Sequence, residues 1–208
     1  MPVVMNPDPD YNGYNQLQTI AYDTLNDAKT LERSKLEELE KLLAEYEGEG
    51  TAKLREELAY INRTAPEGSE PTEESILQVA MRTQEAFQLC CQFALKCPGL
   101  LSALLIHQDM DGDTVLHQLI NFNRAPACEA LRTVISSMEV GEERTSVIEV
   151  ICKLLDEGNK KGETPRDLVA ERSEGKGAII EQVEILEKTV RALLEETGAE
   201  PPRSGFSP

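Results

Sequence analysis

The chain has 208 residues and a formal net charge of −17, with 40% hydrophobic residues, 4% aromatic residues and no tryptophan. An acidic surface of this kind repels nucleic-acid phosphates and anionic membranes, so neither is an expected partner. Many Leu, Ala and Glu residues, together with the lack of β-branched runs bounded by turns, predict an all-α fold.

The cysteine and histidine content predicts no metal site and no cofactor. The five cysteines and two histidines include no C-x-x-C pair and form no zinc-binding pattern. Buried thiols in a reducing compartment are expected instead. The sequence also lacks a signal-peptide pattern and an apolar run of about 18 residues, so a cytoplasmic or nuclear location is expected.

The first third of the chain is predicted to be a helical hairpin between irregular segments. Residues 1–14 are rich in proline and are predicted to be disordered, and residues 64–71 read as a linker. Within 15–63, a heptad-like spacing of apolar residues predicts a long, coiled-coil-like helix to Tyr46 whose heptad phase shifts between Ala28 and Leu36. A Gly turn and a shorter second helix are predicted to follow it. This segment could alternatively serve as an oligomerisation interface.

Residues 72–198 are predicted to form a domain of packed helices, and residues 199–208 a disordered tail. A largely apolar helix is predicted over 72–96, with Thr72 as its N-cap. Shorter helices are predicted near 100–107, 114–121, 127–138 and 147–158, and a last one over 178–196.

The stretch DMDGDTVLH, which begins at Asp109, has two readings. Its alternate acids suggest the start of a calcium loop, but Gly112 falls at position 4 of such a loop and Ile120 at position 12. An EF-hand requires Gly at position 6 and Glu at position 12, so calcium binding is rejected. The stretch is instead predicted to be a tight turn at Gly112 followed by a helix that begins after Thr114.

The same pattern recurs in NKKGETPRDLVA, which begins at Asn159. Gly is followed two residues later by Thr in both copies, and Pro165 suits the first position of a helix. The turns 109–114 and 159–164 are therefore predicted to be equivalent, with matching backbone conformations at Gly112 and Gly162.

These residues resemble ankyrin repeats, whose consensus combines a D-x-x-G-x-T-P-L-H turn with two helices in a period of about 33 residues. VIEVICKLLDEG, before the second turn, matches the second helix of that consensus. DGDTVLH also looks like the entry repeat of the NF-kappa-B inhibitors. The two turn glycines are 50 residues apart, so residues 123–139 are predicted to be an inserted helix.

The resemblance implies a short ankyrin-like α-solenoid that binds proteins, with turns and first helices on a concave face. The acidic charge predicts a basic protein segment as partner. The candidate binding residues on this face are Asp109, Asp111, Asp113, Asn121, Asn123, Lys160, Lys161 and Arg166.

No catalytic motif is found. The P-loop, dinucleotide-binding and zinc-protease patterns are absent. A nucleophilic pair of His117 with Cys128 or Cys152 is conceivable, but His117 is better explained as a residue that hydrogen-bonds within the turn. The protein is therefore expected not to be an enzyme.

Overall fold

The computed structural model describes residues 13–25, 30–63, 71–171 and 177–197, and the regular structure within these ranges is all-helical. The helices are α1 (Gln16–Asp23), α2 (Arg33–Glu49), α3 (Thr51–Leu58), α4 (Ile76–Ala80), α5 (Gln84–Leu95), α6 (Leu100–Ile106), α7 (Val115–Asn121), α8 (Ala125–Ser137), α9 (Glu142–Leu154), α10 (Pro165–Glu171) and α11 (Gly177–Glu196). The predicted tail 199–208 and most of the predicted segments 1–14 and 64–71 lie outside the described residues.

Four helices in this structure begin in the same way. Their starts follow Asn15, Ser75, Thr114 and Thr164. Two residues before each of these positions, the backbone is left-handed, with φ +79° at Gly13, +55° at Glu73, +79° at Gly112 and +79° at Gly162. The predicted equivalence of the turns at Gly112 and Gly162 is confirmed, and two further copies precede them.

The predicted single helix over 72–96 is wrong, because the chain turns twice within it. Thr72 is not an N-cap, since Glu73 is left-handed and Ser75 caps α4 instead. The hydroxyl of Thr83 then accepts the N–H of Ala86 at the start of α5. An almost continuous apolar composition concealed both breaks, since both flanking helices are buried.

The predicted helix from Asn15 to Tyr46 is also interrupted. Helix α1 ends at Asp23, and the next residue, Thr24, donates its hydroxyl to the carbonyl of Ala21. Helix α2 begins only at Arg33, after the shift in the heptad phase. It reaches Glu49, where Gly50, with φ +117°, separates it from α3.

The helices contact one another in rows that follow the four starts. The first row is made by the helices directly after the starts, with α1 against α4, α4 against α7 and α7 against α10. The second row places α2 against α5, α5 against α8 and α8 against α11, and α6 contacts α9 beside it. Each interval between successive starts thus holds three described helices.

Helix α8 belongs to the second row, so the prediction that residues 123–139 are an insertion is wrong. Cys128, Leu131 and Ile135 of α8 have no exposed surface, and the helix packs between α5 and α11. The extra length comes instead from a third helix in each interval, α3, α6 or α9. One core of buried side chains extends from Tyr14 to Leu194, and α1, α2 and α3 share it with α4 and α5.

Glu73 is the one non-glycine residue among the four left-handed positions. A side chain there costs about 1–2 kcal/mol, partly offset by the greater freedom of glycine in the unfolded chain. We expect Glu73→Gly to raise the free energy of unfolding by about 0.5–1 kcal/mol, measured by urea denaturation. Glu73→Ala, which removes the charge but keeps the strain, should leave stability nearly unchanged. A gain of equal size in both variants would assign the effect to charge.

None of the helices in the described ranges combines the length and the apolar character that crossing a bilayer requires.

Candidate functional site

The turns before α7 and α10 are built around one buried acceptor each. The Oδ1 atom of Asp109 accepts the N–H groups of Asp111 and Asp113, both at 2.9 Å. The Oδ1 atom of Asn159 accepts those of Lys161, at 3.0 Å, and Glu163, at 3.1 Å. Both side chains are buried, so each fixes its turn from within.

Successive helix starts are joined by side chains at the third helical position. Gln18 Nε2 donates to the carbonyl of Glu74, Gln78 Nε2 to that of Asp113, and His117 Nε2 lies against that of Glu163, each at 2.9 Å. Each accepting carbonyl precedes the N-cap of the next start by one residue. We call this series of bonds the inter-turn ladder.

Each ladder side chain also accepts a backbone N–H at its own helix start. The N–H of Asn15 donates to Gln18 Oε1 at 3.3 Å, and that of Ser75 to Gln78 Oε1 at 2.8 Å. The N–H of Thr114 donates to Nδ1 of His117 at 3.2 Å. Because Nδ1 is an acceptor, the ring proton is on Nε2, which therefore donates to Glu163. Glutamine and histidine thus both accept the N–H of their own N-cap residue and both donate to a carbonyl of the next turn.

The fourth start ends this pattern. Asp167 accepts the N–H of Thr164 at 2.9 Å and its hydroxyl at 2.7 Å. These two hydrogen bonds lower the pKa of Asp167, so the side chain is a carboxylate at neutral pH. A carboxylate has no proton to donate to a further carbonyl.

Backbone contacts reinforce the ladder. The N–H of Met110 donates to the carbonyl of Thr72, and that of Lys160 to the carbonyl of Asp111, both at 3.2 Å. A Cβ atom built on Gly112 would lie 2.7 Å from the nitrogen of Lys160. The two turns are therefore in contact at a point where no side chain fits.

The predicted acidic binding face is only partly exposed. Asp109 is buried, and its other oxygen accepts the side-chain amide of Gln118. Asp113 accepts the side-chain amides of Asn121, at 3.0 Å, and Asn159, at 2.8 Å. Of the three aspartates, Asp111 alone is exposed. Asp109 and Asp113 hold the turns together, a role that counting charges did not predict.

The other candidate residues lie near this edge in different environments. Asn123 and Lys161 are exposed, and exposed Lys160 donates its ammonium to the carbonyl of Met110 at 2.6 Å. Arg166 forms ion pairs with Asp156, at 2.7 Å, and Glu187, at 2.8 Å. Arg166 is therefore neutralised within the chain.

A pocket of ≈ 300 Å³, which sequence reasoning missed, opens at the ends of α1, α4 and α7. Its charged and aromatic lining comprises Arg82, Arg124, Glu74, Tyr14, Tyr22 and Phe122. The guanidinium carbon of Arg82 lies 3.6 Å from the centre of the Tyr22 ring, and Phe122 is 58% exposed. These residues are far apart in sequence, and no local motif marks them.

The conceivable pair of His117 with Cys128 or Cys152 finds no support in this geometry. Both ring nitrogens of His117 are engaged by Thr114 and Glu163. Burial raises the pKa of the Cys128 thiol to about 12, and burial also raises the pKa of Cys152. Thiols in this state are poor nucleophiles at neutral pH. The part of the chain that the structure describes holds no cluster of three His, Cys, Asp or Glu side chains suited to a metal ion.

The two turn acceptors make a matched experiment. Burial raises the pKa of Asp109, so the folded state binds its proton more tightly than the unfolded chain, whose aspartates titrate at about 3.9. The contribution of Asp109 to stability therefore falls as pH rises through the window between these two pKa values. The Asp109→Asn variant should have a free energy of unfolding within about 1 kcal/mol of that of the wild type at pH 7. From pH 4 to pH 7, the stability of the variant should rise relative to that of the wild type.

Asn159→Asp is the reciprocal change. Its new carboxylate would face Asp113 and Glu163, whose oxygens lie 2.8 and 3.2 Å from the present amide nitrogen. Loss of these donors and repulsion among carboxylates should cost roughly 2–4 kcal/mol at pH 7, and less in acid. Denaturant titrations at several pH values measure both effects. Equal costs for the two substitutions would contradict the assigned roles of these side chains.

Comparison with known proteins gave no family: no protein-family model matches this chain, and a search of curated proteins found no match.

Proposed function

We propose that the protein is a non-catalytic protein-binding module, built as a short ankyrin-type solenoid with four turns. The inter-turn ladder is the observation that supports this proposal, since it ties four successive helix starts together in chain order. A row of short helices held at fixed spacing offers a rigid surface, which lowers the entropy cost of binding a partner. The two turn sequences that resemble ankyrin repeats supply two of these four helix starts.

The proposed binding surface runs along the first row of helices. The open pocket with its exposed Phe122 and Tyr22 lies across the ends of three of these helices. Exposed aromatic side chains beside arginines are typical of binding hot spots. The partner is proposed to be a protein of net basic charge, because the net charge of −17 steers such a protein towards the surface. Among the three predicted turn aspartates, Asp111 is the one available to it.

Oligomerisation through residues 15–63 is the less supported alternative. Four leucines of the predicted hairpin, Leu39, Leu43, Leu54 and Leu58, have no exposed surface within a single chain. The contacts of α2 with α1, α3 and α5, and of α3 with α5, account for this burial. Sedimentation at several protein concentrations should give the mass of one chain; a mass that doubles on concentration would favour the alternative.

Photo-crosslinking tests the proposed surface. We would place p-benzoylphenylalanine at Phe122 and, as a control, at Val140, which is 77% exposed and lies beyond the opposite end of α8. Irradiation in lysate from the cells that express the protein should give a discrete heavier adduct at position 122 but not at 140. An adduct of twice the chain mass would indicate self-association, and the absence of an adduct at 122 would contradict the proposal.

A further inference from the structure

The two arginines of the pocket have no acidic partner among the described residues, and both have a buried Nε atom. Four described arginines have a buried Nε atom without a hydrogen-bond acceptor: Arg82, Arg124, Arg132 and Arg144. Arg132 and Arg144 are still neutralised, by Glu129 and Glu196 respectively. Arg82 and Arg124 form no ion pair within the described ranges, although the chain carries 38 acidic residues.

Among the described residues of the pocket lining, only one carboxylate stands against the two arginines, so their charge is only partly compensated. Burial lowers the pKa of Arg124, and the positive charge of Arg82 lowers it further. Glu74, the acidic residue of the lining, accepts the hydroxyls of Tyr14 and Thr72. Two partly buried cations in the lining of one pocket are an unfavourable arrangement unless an anion joins them.

The stacking of Arg82 on Tyr22 determines what kind of acceptor can bind. With one face of the guanidinium against the ring at 3.6 Å, its N–H groups are left for an acceptor in the guanidinium plane. Carboxylates and phosphates both have this geometry. The charge of the pocket distinguishes them, because two arginines against one glutamate leave +1. A carboxylate balances this charge, whereas a phosphate dianion would add net negative charge to an already acidic protein.

The size and the remaining lining of the pocket suit a side chain on a protein. A volume of ≈ 300 Å³ is at the lower limit for small-molecule sites and accommodates one or two side chains. Val79, Met81 and Phe122 add apolar surface next to the arginines. A segment with an acidic side chain next to an apolar one would satisfy both parts of the lining.

Building on the proposed function, we propose that the pocket between Arg82 and Arg124 binds a carboxylate side chain of the partner, with a neighbouring apolar side chain of the partner against Phe122. The partner segment is therefore a basic stretch that contains one acidic anchor. The basic residues are attracted by the overall charge of the protein, and the anchor fixes the register.

Peptide titration followed by NMR tests this site. The full-length ¹⁵N-labelled protein would be titrated with acetyl-Lys-Leu-Glu-Phe-Lys-amide, and the Nε–H signals of Arg82 and Arg124 would be followed. We expect both signals to shift with one saturable curve, and the peptide with Gln in place of Glu to bind at least about tenfold more weakly. A phosphoserine peptide that binds more tightly than the glutamate peptide would overturn the assignment to a carboxylate.

Variants provide independent controls. Arg82→Gln and Arg124→Gln should each weaken binding about tenfold or more, whereas Arg132→Gln, at an arginine outside the pocket lining, should not change it. Glu74→Gln, which raises the pocket charge, should tighten binding. Thermal melting of each variant checks the fold, and the comparison of the two peptides on the wild type does not depend on any variant. Equal binding of the Glu and Gln peptides, or no saturable shift at millimolar peptide, would overturn the proposal.

Failure of this proposal is distinguishable from failure of the proposed function. If the adduct at position 122 persists when Arg82 and Arg124 are both replaced by Gln, the protein-binding surface stands and the carboxylate anchor is wrong. If no adduct forms at position 122 when both arginines are present, the protein-binding function itself is wrong.

Discussion

Replacing His117 with alanine is expected to lower the free energy of unfolding by roughly 2–5 kcal/mol, because a buried donor and a buried acceptor each lose their partner. The imidazole has no exposed surface, and it joins the N–H of Thr114 to the carbonyl of Glu163. Alanine leaves both backbone groups without a partner and leaves a cavity behind.

His117→Gln is the matched control for this change. Glutamine already performs both tasks at Gln18 and Gln78, where Oε1 accepts the N-cap N–H and Nε2 donates to the next turn. The His117→Gln variant should therefore retain the wild-type stability to within about 1 kcal/mol. Equilibrium denaturation of the three proteins measures the difference. Similar losses for Ala and Gln would show that imidazole packing, rather than the ladder, stabilises this position.

The second large effect is expected at Gly112. Gly112 and Gly162 share φ +79°, so alanine meets the same left-handed strain of about 1–2 kcal/mol at both. At Gly112 the new Cβ would also lie 2.7 Å from the backbone nitrogen of Lys160, whereas at Gly162 nothing lies within 4 Å. Forcing the two turns apart adds an overpacking cost of about 1–3 kcal/mol. Gly112→Ala should thus be clearly more destabilising than Gly162→Ala.

The comparison of these two variants isolates the contact between turns. Replacing glycine by alanine lowers the conformational entropy of the unfolded chain by the same amount at both positions, so this effect cancels in the comparison. Chemical denaturation of each variant gives the difference directly. Equal destabilisation would mean that the turns at 109–114 and 159–164 are not in close contact in solution.

The sequence predicts the local parts of this fold well. Gly112 and Gly162 each lie two residues before a threonine, and this pairing is enough to predict a left-handed residue and a helix start. The same geometry at Ser75 was missed because Glu73 occupies the left-handed position. Its N–H donates to Asn62 Oδ1 and its carbonyl is bonded to His107, so distant residues hold a conformation that the local sequence disfavours.

The candidate sites depend even more on packing over long distances. Asp109 was predicted to be a surface charge, and only the fold shows it buried as the acceptor that closes a turn. The pocket depends on bringing Arg82 beside Arg124 and Tyr22, which lie in three different intervals of the chain. Neither residue spacing nor composition contains that information, because it arises from how the first-row helices stack.

The carboxylate at Asp167 gives the ladder a terminus as well as a direction. Gln18, Gln78 and His117 each donate a hydrogen bond to the next turn, whereas Asp167 can only accept hydrogen bonds. Each of the first three helix starts can therefore be followed by another turn, whereas the fourth lacks the donor that a further turn would need. To add another unit after residue 171, Asp167 would first be replaced by histidine or glutamine. The new side chain could then donate a hydrogen bond to a backbone carbonyl of the added turn.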